Sequence, residues 1–376
     1  MSHCSSVPAT SQGLWARRYR DLTNKKLILR RLAFIAESLD QLTGRLSSSS
    51  ATAIGPGSIG LEESRLVVAI THWRYDDRPR LWDDDEILRT CVRRLVAIPA
   101  AAVHVLVLTN DGHGAEQALA NVDVRGERRV RAASDDGVAW ERTLERDGPN
   151  VTVLEPRLRW PRHTGPYLTW AHKRFFRRAL RRPSVTHLIY LEDDIGLTED
   201  NLRYWIQARS ALSTLGLIPG FLLFEGYQNQ RYLIQQEASG QWSTLDSEIA
   251  IPDLGRLALA RADLPYHASY VMDRALALEH FARSALRSPF RSRIAGWGVH
   301  ERAAAGPVFG PSLTPLRNVI RLGSAPYLPP ARNAVPVRLG DDGTAQVLEG
   351  ALLEHLRPTY STNPASGAGK LLVELF

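Results

Sequence analysis

The chain has 376 residues, 44% hydrophobic and 23% charged, with two cysteines and a formal charge of +7. That length allows about two domains or one large α/β domain, and the composition excludes wholesale disorder, collagen-like sequence and a coiled-coil rod. Cys4 and Cys91 can supply neither a disulfide framework nor a paired-cysteine zinc site.

The positive charge is concentrated at one end. Residues 1 to 47 hold eight Arg or Lys against Asp21, Glu37 and Asp40, so the remainder is close to neutral. A nucleic-acid binder would carry a basic face on its folded domain, and no nucleic-acid partner is expected. No apolar run reaches the roughly 18–20 residues of a membrane span, and MSHCSSVPATSQ lacks a signal-peptide pattern, so the expected location is cytoplasmic.

In chain order, residues 1–50 form a basic segment in which Leu27, Ile28, Leu32, Ile35, Leu39 and Leu42 recur near helical spacing, predicting an amphipathic helix. It could dock on the main domain, on a partner subunit or on the inner face of an anionic membrane as a peripheral contact. Residues 51–64 are Ser/Gly-rich and read as a linker. From 65 to 227 strands and helices alternate: RLVVAITHW, then DDDEILRTCVRRLVAI with acids in its first turn, then VHVLVLTND and NVTVLEPRL. Helix YLTWAHKRFFRRAL, strand THLIYLEDDI, helix TEDNLRYWIQARSALSTLG and strand PGFLLFEGY follow. This order predicts an α/β fold with a mostly parallel, Rossmann-like central sheet and helices on both faces. Residues 228–376 change to short antiparallel strands and irregular segments, with a helix over 274–287, a short helix within RIAGWGVHERAAAG, and a hairpin in PVRLGDDGTAQVLEG before an irregular close.

No GxxxxGK[ST] or GxGxxG follows any strand. The stretch with chemical content is instead Glu192-Asp193-Asp194, directly after the apolar strand HLIYL. Ligands of open α/β sheets gather at the carboxyl ends of strands, and clustered carboxylates there call for a hard cation, Mn²⁺ or Mg²⁺, that can bridge to a diphosphate. The alternative is that Asp193 and Asp194 cap the next helix, as Asp83-Asp84-Asp85 are expected to do for theirs, while Asp341-Asp342-Gly343 suits a hairpin turn.

The apolar strand ending in Glu-Asp-Asp resembles the DxD-type motif of GT-A fold glycosyltransferases. TWAHKRFFRRAL followed by HLIYLEDDIGLTEDNLRYW is similar to the donor-site segment of N-acetylglucosaminyltransferase I-like families. The resemblance covers roughly 65–227. It implies a metal-dependent transferase moving sugar from a nucleotide-sugar donor, such as a UDP-sugar, to a glycan, lipid-linked or small-molecule acceptor. By position it implies Asp194 as principal metal ligand, with Glu192 and Asp193 on ribose, sugar or metal. Thr71-His72-Trp73-Arg74 and Asp111 would hold the base, although a strand-end hydroxyl explains Thr71 equally well. Lys173 would face the donor; the alternative is an exposed helix-face lysine. His355 in LEHLRPTY would be a C-terminal metal ligand.

An inverting transfer needs a carboxylate base for the acceptor hydroxyl. Gly296-Trp297-Gly298-Val-His300-Glu301 offers one: Glu301 as base and Trp297 as a flat face for a sugar. Asp263 and Asp273 are weaker base candidates, and Glu225 in PGFLLFEGY is a further substrate-contact candidate. Strand-end acids also suit a nucleotidyltransferase or another Mg²⁺-dependent phosphate-processing enzyme, and a non-enzymatic carbohydrate-binding protein is the third reading.

Overall fold

The computed structural model describes residues 59–74, 83–122, 138–156, 165–227, 230–234, 242–251, 254–262, 268–282, 299–309, 321–322, 325–326, 333–339, 345–357 and 369–371. The basic segment 1–50, most of the Ser/Gly-rich stretch, Asp263, Trp297 and Asp341-Asp342 lie outside these residues.

The fold is α/β with mixed sheets. β1 (Arg65–His72), β2 (Ala102–Thr109), β3 (Gly148–Leu154) and β4 (His187–Glu192) run parallel in the order β4-β1-β2-β3. Their near-continuous apolar sequences follow from burial on both faces: β2 is buried at all eight positions and β1 at seven of eight. The helices between them are α1 (Asp84–Val96), α2 (Gly112–Ala118), the short turns α3 (Val138–Glu141) and α4 (Gly165–Leu168), and α5 (His172–Ala179). Asp83 caps α1 by accepting from the amides of Asp85 and Glu86, as the acidic run anticipates.

After β4 the chain leaves this sheet. β5 (Ile195–Gly196) begins a second one, and α6 (Glu199–Ser213) follows under a capping box between Thr198 and Asn201. β6 (Ile218–Pro219) pairs with a later strand, and β7 (Leu222–Tyr227) joins β5 in the second sheet rather than extending the parallel one. That sheet has the order β17-β8-β7-β16-β5, with β8 (Gln230–Ile234), β16 (Leu352–His355) and β17 (Gly369–Leu371). β9 (Trp242–Ile251) and β10 (Gly255–Ala262) form an antiparallel ribbon extended by β14 (Asn333–Leu339) and β15 (Ala345–Val347), the last two being the expected hairpin. β11 (Ser269–Asp273) adds antiparallel to the β4 edge of the first sheet and runs into α7 (Arg274–Phe281), shorter than the 274–287 helix expected. α8 (Val299–Phe309) packs on β11, and β12 (Arg321–Leu322) with β13 (Ala325–Pro326) forms a two-stranded ribbon. Among the described residues no helix is long and apolar enough to cross a membrane.

Two buried histidines in the parallel sheet have a measurable consequence. His104 on β2 is 1% exposed and neither ring nitrogen has a hydrogen-bond partner; His187 on β4 is also buried. Burial pushes both pKa values down from 6.5 to about 4. The unfolded chain therefore binds protons that the folded chain refuses, so stability is complete above about pH 6.5 and falls as pH drops toward about 4, on the order of 3 kcal/mol per ring. His104→Leu is expected to add about 1–2 kcal/mol at pH 7 and to remove about half of this acid slope, the His187 share remaining, read as urea midpoints at pH 7 and pH 5; an unchanged slope would refute the assignment.

Candidate active site at the junction of two sheets

The acidic motif sits where the first sheet hands the chain to the second. Glu192 ends β4, Asp193 and Asp194 make the turn, and Ile195 starts β5. The cap of the following helix is Thr198, so the two aspartates are not its caps. The amide of Glu192 donates to Ala268 at 3.0 Å, and Ala268, at φ 51°, is the one non-glycine in left-handed backbone among the described residues. Such conformations are held by their surroundings and gather at functional sites.

A long-range strand pairing completes the site. β16 lies between β7 and β5, opposing His355 to Ile195 and Leu352 to Leu222. Asn201, inside the α6 capping box, donates from Nδ2 to the carbonyls of Gly350 (2.9 Å) and Leu352 (2.8 Å), which fixes the approach to β16. A Cβ on Gly350 would lie 2.5 Å from that of Tyr204, so only glycine lets this segment lie against α6. The Leu356 amide then donates to the Asp194 carbonyl at 2.7 Å.

These contacts bring His355 to the acids. Its Nε2 is 3.4 Å from Asp194 Oδ2, and its Nδ1 is 2.8 Å from Glu225 Oε1, a β7 carboxylate only 1% exposed. Burial alone would lower the His355 pKa, but Asp194 and Glu225 raise it to about 9, so the ring is charged at neutral pH. Burial likewise pushes Asp194 up, and the His355 and Arg357 cations outweigh it, leaving the carboxyl below its usual range. Arg357 reaches three carboxylates: Asp84 at 3.0 Å, Asp194 at 3.6 Å and Asp193 at 3.9 Å. Asp193 is also held by His72 Nδ1 at 2.6 Å, from a ring with no exposure.

The remaining sequence candidates are distributed as follows. Thr71 turns its hydroxyl inward, donating to Tyr190 Oη at 3.3 Å, which favours the strand-end reading. Trp73 lies against Gly165, whose Cβ would meet the indole at 2.9 Å. Asp111 caps α2 through the Gly114 amide and pairs with Arg74 at 2.7 Å; Arg74 also pairs with Asp85. Asn110 holds Arg74 by both backbone groups, tying the ends of β1 and β2 into one floor. Lys173 is neither exposed nor turned to the acids: it is 3% exposed, and its amine is bonded to Tyr270 and His280. Glu225 stands behind His355. Glu301 lies in the first turn of α8, partly exposed, with the His300 ring 4.0 Å away. Asp273 is a structural group: it pairs with Arg209 at 2.8 Å inside the core and accepts from the Leu276 amide at 2.7 Å to cap α7.

Arg357 and Asp84 are not site candidates in the sequence reading, and His72, expected there among the residues holding the base, instead braces Asp193. Arg357 is two positions beyond His355, the same-face spacing of extended chain, and that was the available signal. Asp84 looks like an ordinary first-turn acid until the C-terminal segment is folded onto it.

Asp194 and His355 are side chains here that could hold a divalent cation. No group of three or more His, Cys, Asp or Glu is preformed as a cage among the described residues. Mg²⁺-type sites need only one or two protein ligands with substrate phosphates completing the shell, and Glu225 on His355 Nδ1 is the kind of carboxylate partner that metal-binding histidines commonly have. No protein-family model and no curated protein matches the chain.

Replacing Asp273 by Ala removes one member of a buried pair and a helix cap. The expected loss is about 3–5 kcal/mol of stability, measured by denaturant unfolding. A loss under about 1 kcal/mol would return Asp273 to the list of free carboxylates.

Proposed function

We propose that this chain is a metal-dependent glycosyltransferase of GT-A type, transferring sugar from a nucleoside-diphosphate sugar to an acceptor hydroxyl with inversion. The observation that carries the reading is the convergence of Asp194 and His355, with Glu225 fixing the histidine from behind, at the carboxyl end of a parallel strand. The parallel order β4-β1-β2-β3 with an antiparallel β11 at its edge also supports it.

In this reading Asp194 and His355 Nε2 hold Mn²⁺ or Mg²⁺. When bound, the ion supplies Lewis-acid stabilisation of charge on the diphosphate leaving group. Glu225 keeps the His355 ring oriented through Nδ1, and Nε2 would hold the ion once it has released its proton to solvent. Asp193, braced by His72, adds negative charge beside it, and Glu192 faces the ribose and sugar. The floor built from Trp73, Arg74 and Asp111 is where the nucleotide base would rest. Glu301 is the acceptor-side base: its carboxylate oxygen takes the hydroxyl proton as the acceptor attacks the sugar. A partly buried strand end carrying three acids suits a cation-bound diphosphate, which a non-catalytic carbohydrate-binding protein does not require.

Three variants test this. Asp194→Asn is expected to abolish Mn²⁺-dependent binding of a nucleoside diphosphate while leaving thermal unfolding near that of the parent; equal affinity in calorimetry would sink the metal assignment. Glu225→Gln is expected to lower metal affinity by about 10–100-fold through loss of the histidine's orienting partner. A variant that binds Mn²⁺ as the parent does would remove Glu225 from the site. Glu301→Gln is expected to cut transfer by ~10²–10⁴-fold with donor affinity retained, whereas a mere first-turn acid would leave transfer intact.

A further inference from the structure

Lys173 lies on α5 with 3% of its surface exposed. Its Nζ is 3.1 Å from Tyr270 Oη on β11 and 3.0 Å from His280 Nε2 on α7. The rings of Tyr270, Trp170 and Phe281 surround it, with centroids 4.7, 5.8 and 5.9 Å away. The directions of the bonds can be read. His172 Nδ1 donates to the Thr169 carbonyl, which leaves its Nε2 as an acceptor, so Tyr270 donates its hydroxyl proton to His172 at 2.6 Å. Tyr270 then offers Lys173 only a lone pair.

The titratable groups facing the amine are His172 from its own helix, Tyr270 from β11 and His280 from α7, with Tyr190 of β4 stacked behind His172 at 4.0 Å. No carboxylate among the described residues pairs with it. Among the described residues an ammonium here would have no counter-ion and, at 3% exposure, little water, and the ring faces offset only part of the lost hydration. Burial accordingly pulls the amine well below its ordinary pKa.

The elements meeting at this amine are those that support α8. α8 packs on β11, α7 and the α4 turn, and the Trp170 indole donates to the carbonyl of Val299, the first residue of α8, at 2.7 Å. We propose that Lys173 is a proton-operated seat for α8: the uncharged amine joins α5, β11 and α7 in the closed packing, and proton uptake at that amine releases α7 and α8 from β11. The closed packing holds the amine neutral, while an opened lysine binds its proton up to about pH 10.4, so opening takes up one proton and grows as pH falls. The device stands independently of the transferase reading, although the helix it seats is the one bearing Glu301.

Hydrogen exchange of the α7 and α8 amides in the full chain, corrected for intrinsic exchange, tests the proposal. The opening constant is expected to rise about tenfold per pH unit as pH falls through the alkaline and neutral range. Lys173→Met keeps the apolar stem without the amine and is expected to abolish the slope. A flat parent profile, or the same slope in Lys173→Met, would overturn the proposal and in the second case assign the proton to a histidine. Should Lys173→Met fail to fold, nuclear magnetic resonance of ¹⁵N-lysine-labelled parent protein reads the amine directly. A neutral-amine signal at pH 7 is expected, and an ammonium signal there would overturn it.

Discussion

The insertion of β16 between β7 and β5 is the constraint on which the site depends. The acids of the β4–β5 turn are local in sequence, but their partners His355 and Arg357 arrive from the far end of the chain. Pairing of Leu352–Glu354 with Leu222–Phe224 on one side, and of Glu354–His355 with Ile195–Gly196 on the other, leaves no freedom in which residue faces Asp194. A shift of one residue would turn His355 to the opposite face of the sheet. Asn201 and Gly350 guard against that shift, the first carried by and the second packed against the helix that begins five residues after Asp194. The segment following the acids therefore positions the strand that completes them.

Charge explains the arrangement that results. Asp84, Asp193, Asp194 and Glu225 would repel one another in a partly buried turn. His355 and Arg357 pair with these carboxylates, and His72 holds Asp193 from the core side. The two cations on the C-terminal segment thus supply the positive charge without which the acids would be costly to bring together.

The parallel sheet was legible because strands buried on both faces must be nearly continuous in apolar residues, and β1, β2 and β4 are. The capped helices were legible from Asp83 and Thr198. The position of the acidic turn followed from the apolar strand before it. The second sheet was not legible: β16 is four residues long, without alternation, and its partners lie some 130–160 residues earlier. Glu225 read as a substrate contact because a carboxylate at a strand end looks functional; its burial behind His355 depends wholly on that pairing. Lys173 read as either a donor contact or an exposed residue because a lone lysine on an amphipathic helix is ordinarily exposed. Its enclosure depends on β11 and α7, which come about 100 residues later.

The central claim is that Asp194 and His355 share one divalent cation at the junction of the two sheets. Anomalous diffraction from a crystal soaked with Mn²⁺ and a nucleoside diphosphate measures this most directly. The account predicts a manganese peak within coordination distance of an Asp194 carboxylate oxygen and of His355 Nε2, with Glu225 still on Nδ1. A fully occupied nucleotide with no metal at this turn, or a manganese ion bound elsewhere, would contradict it.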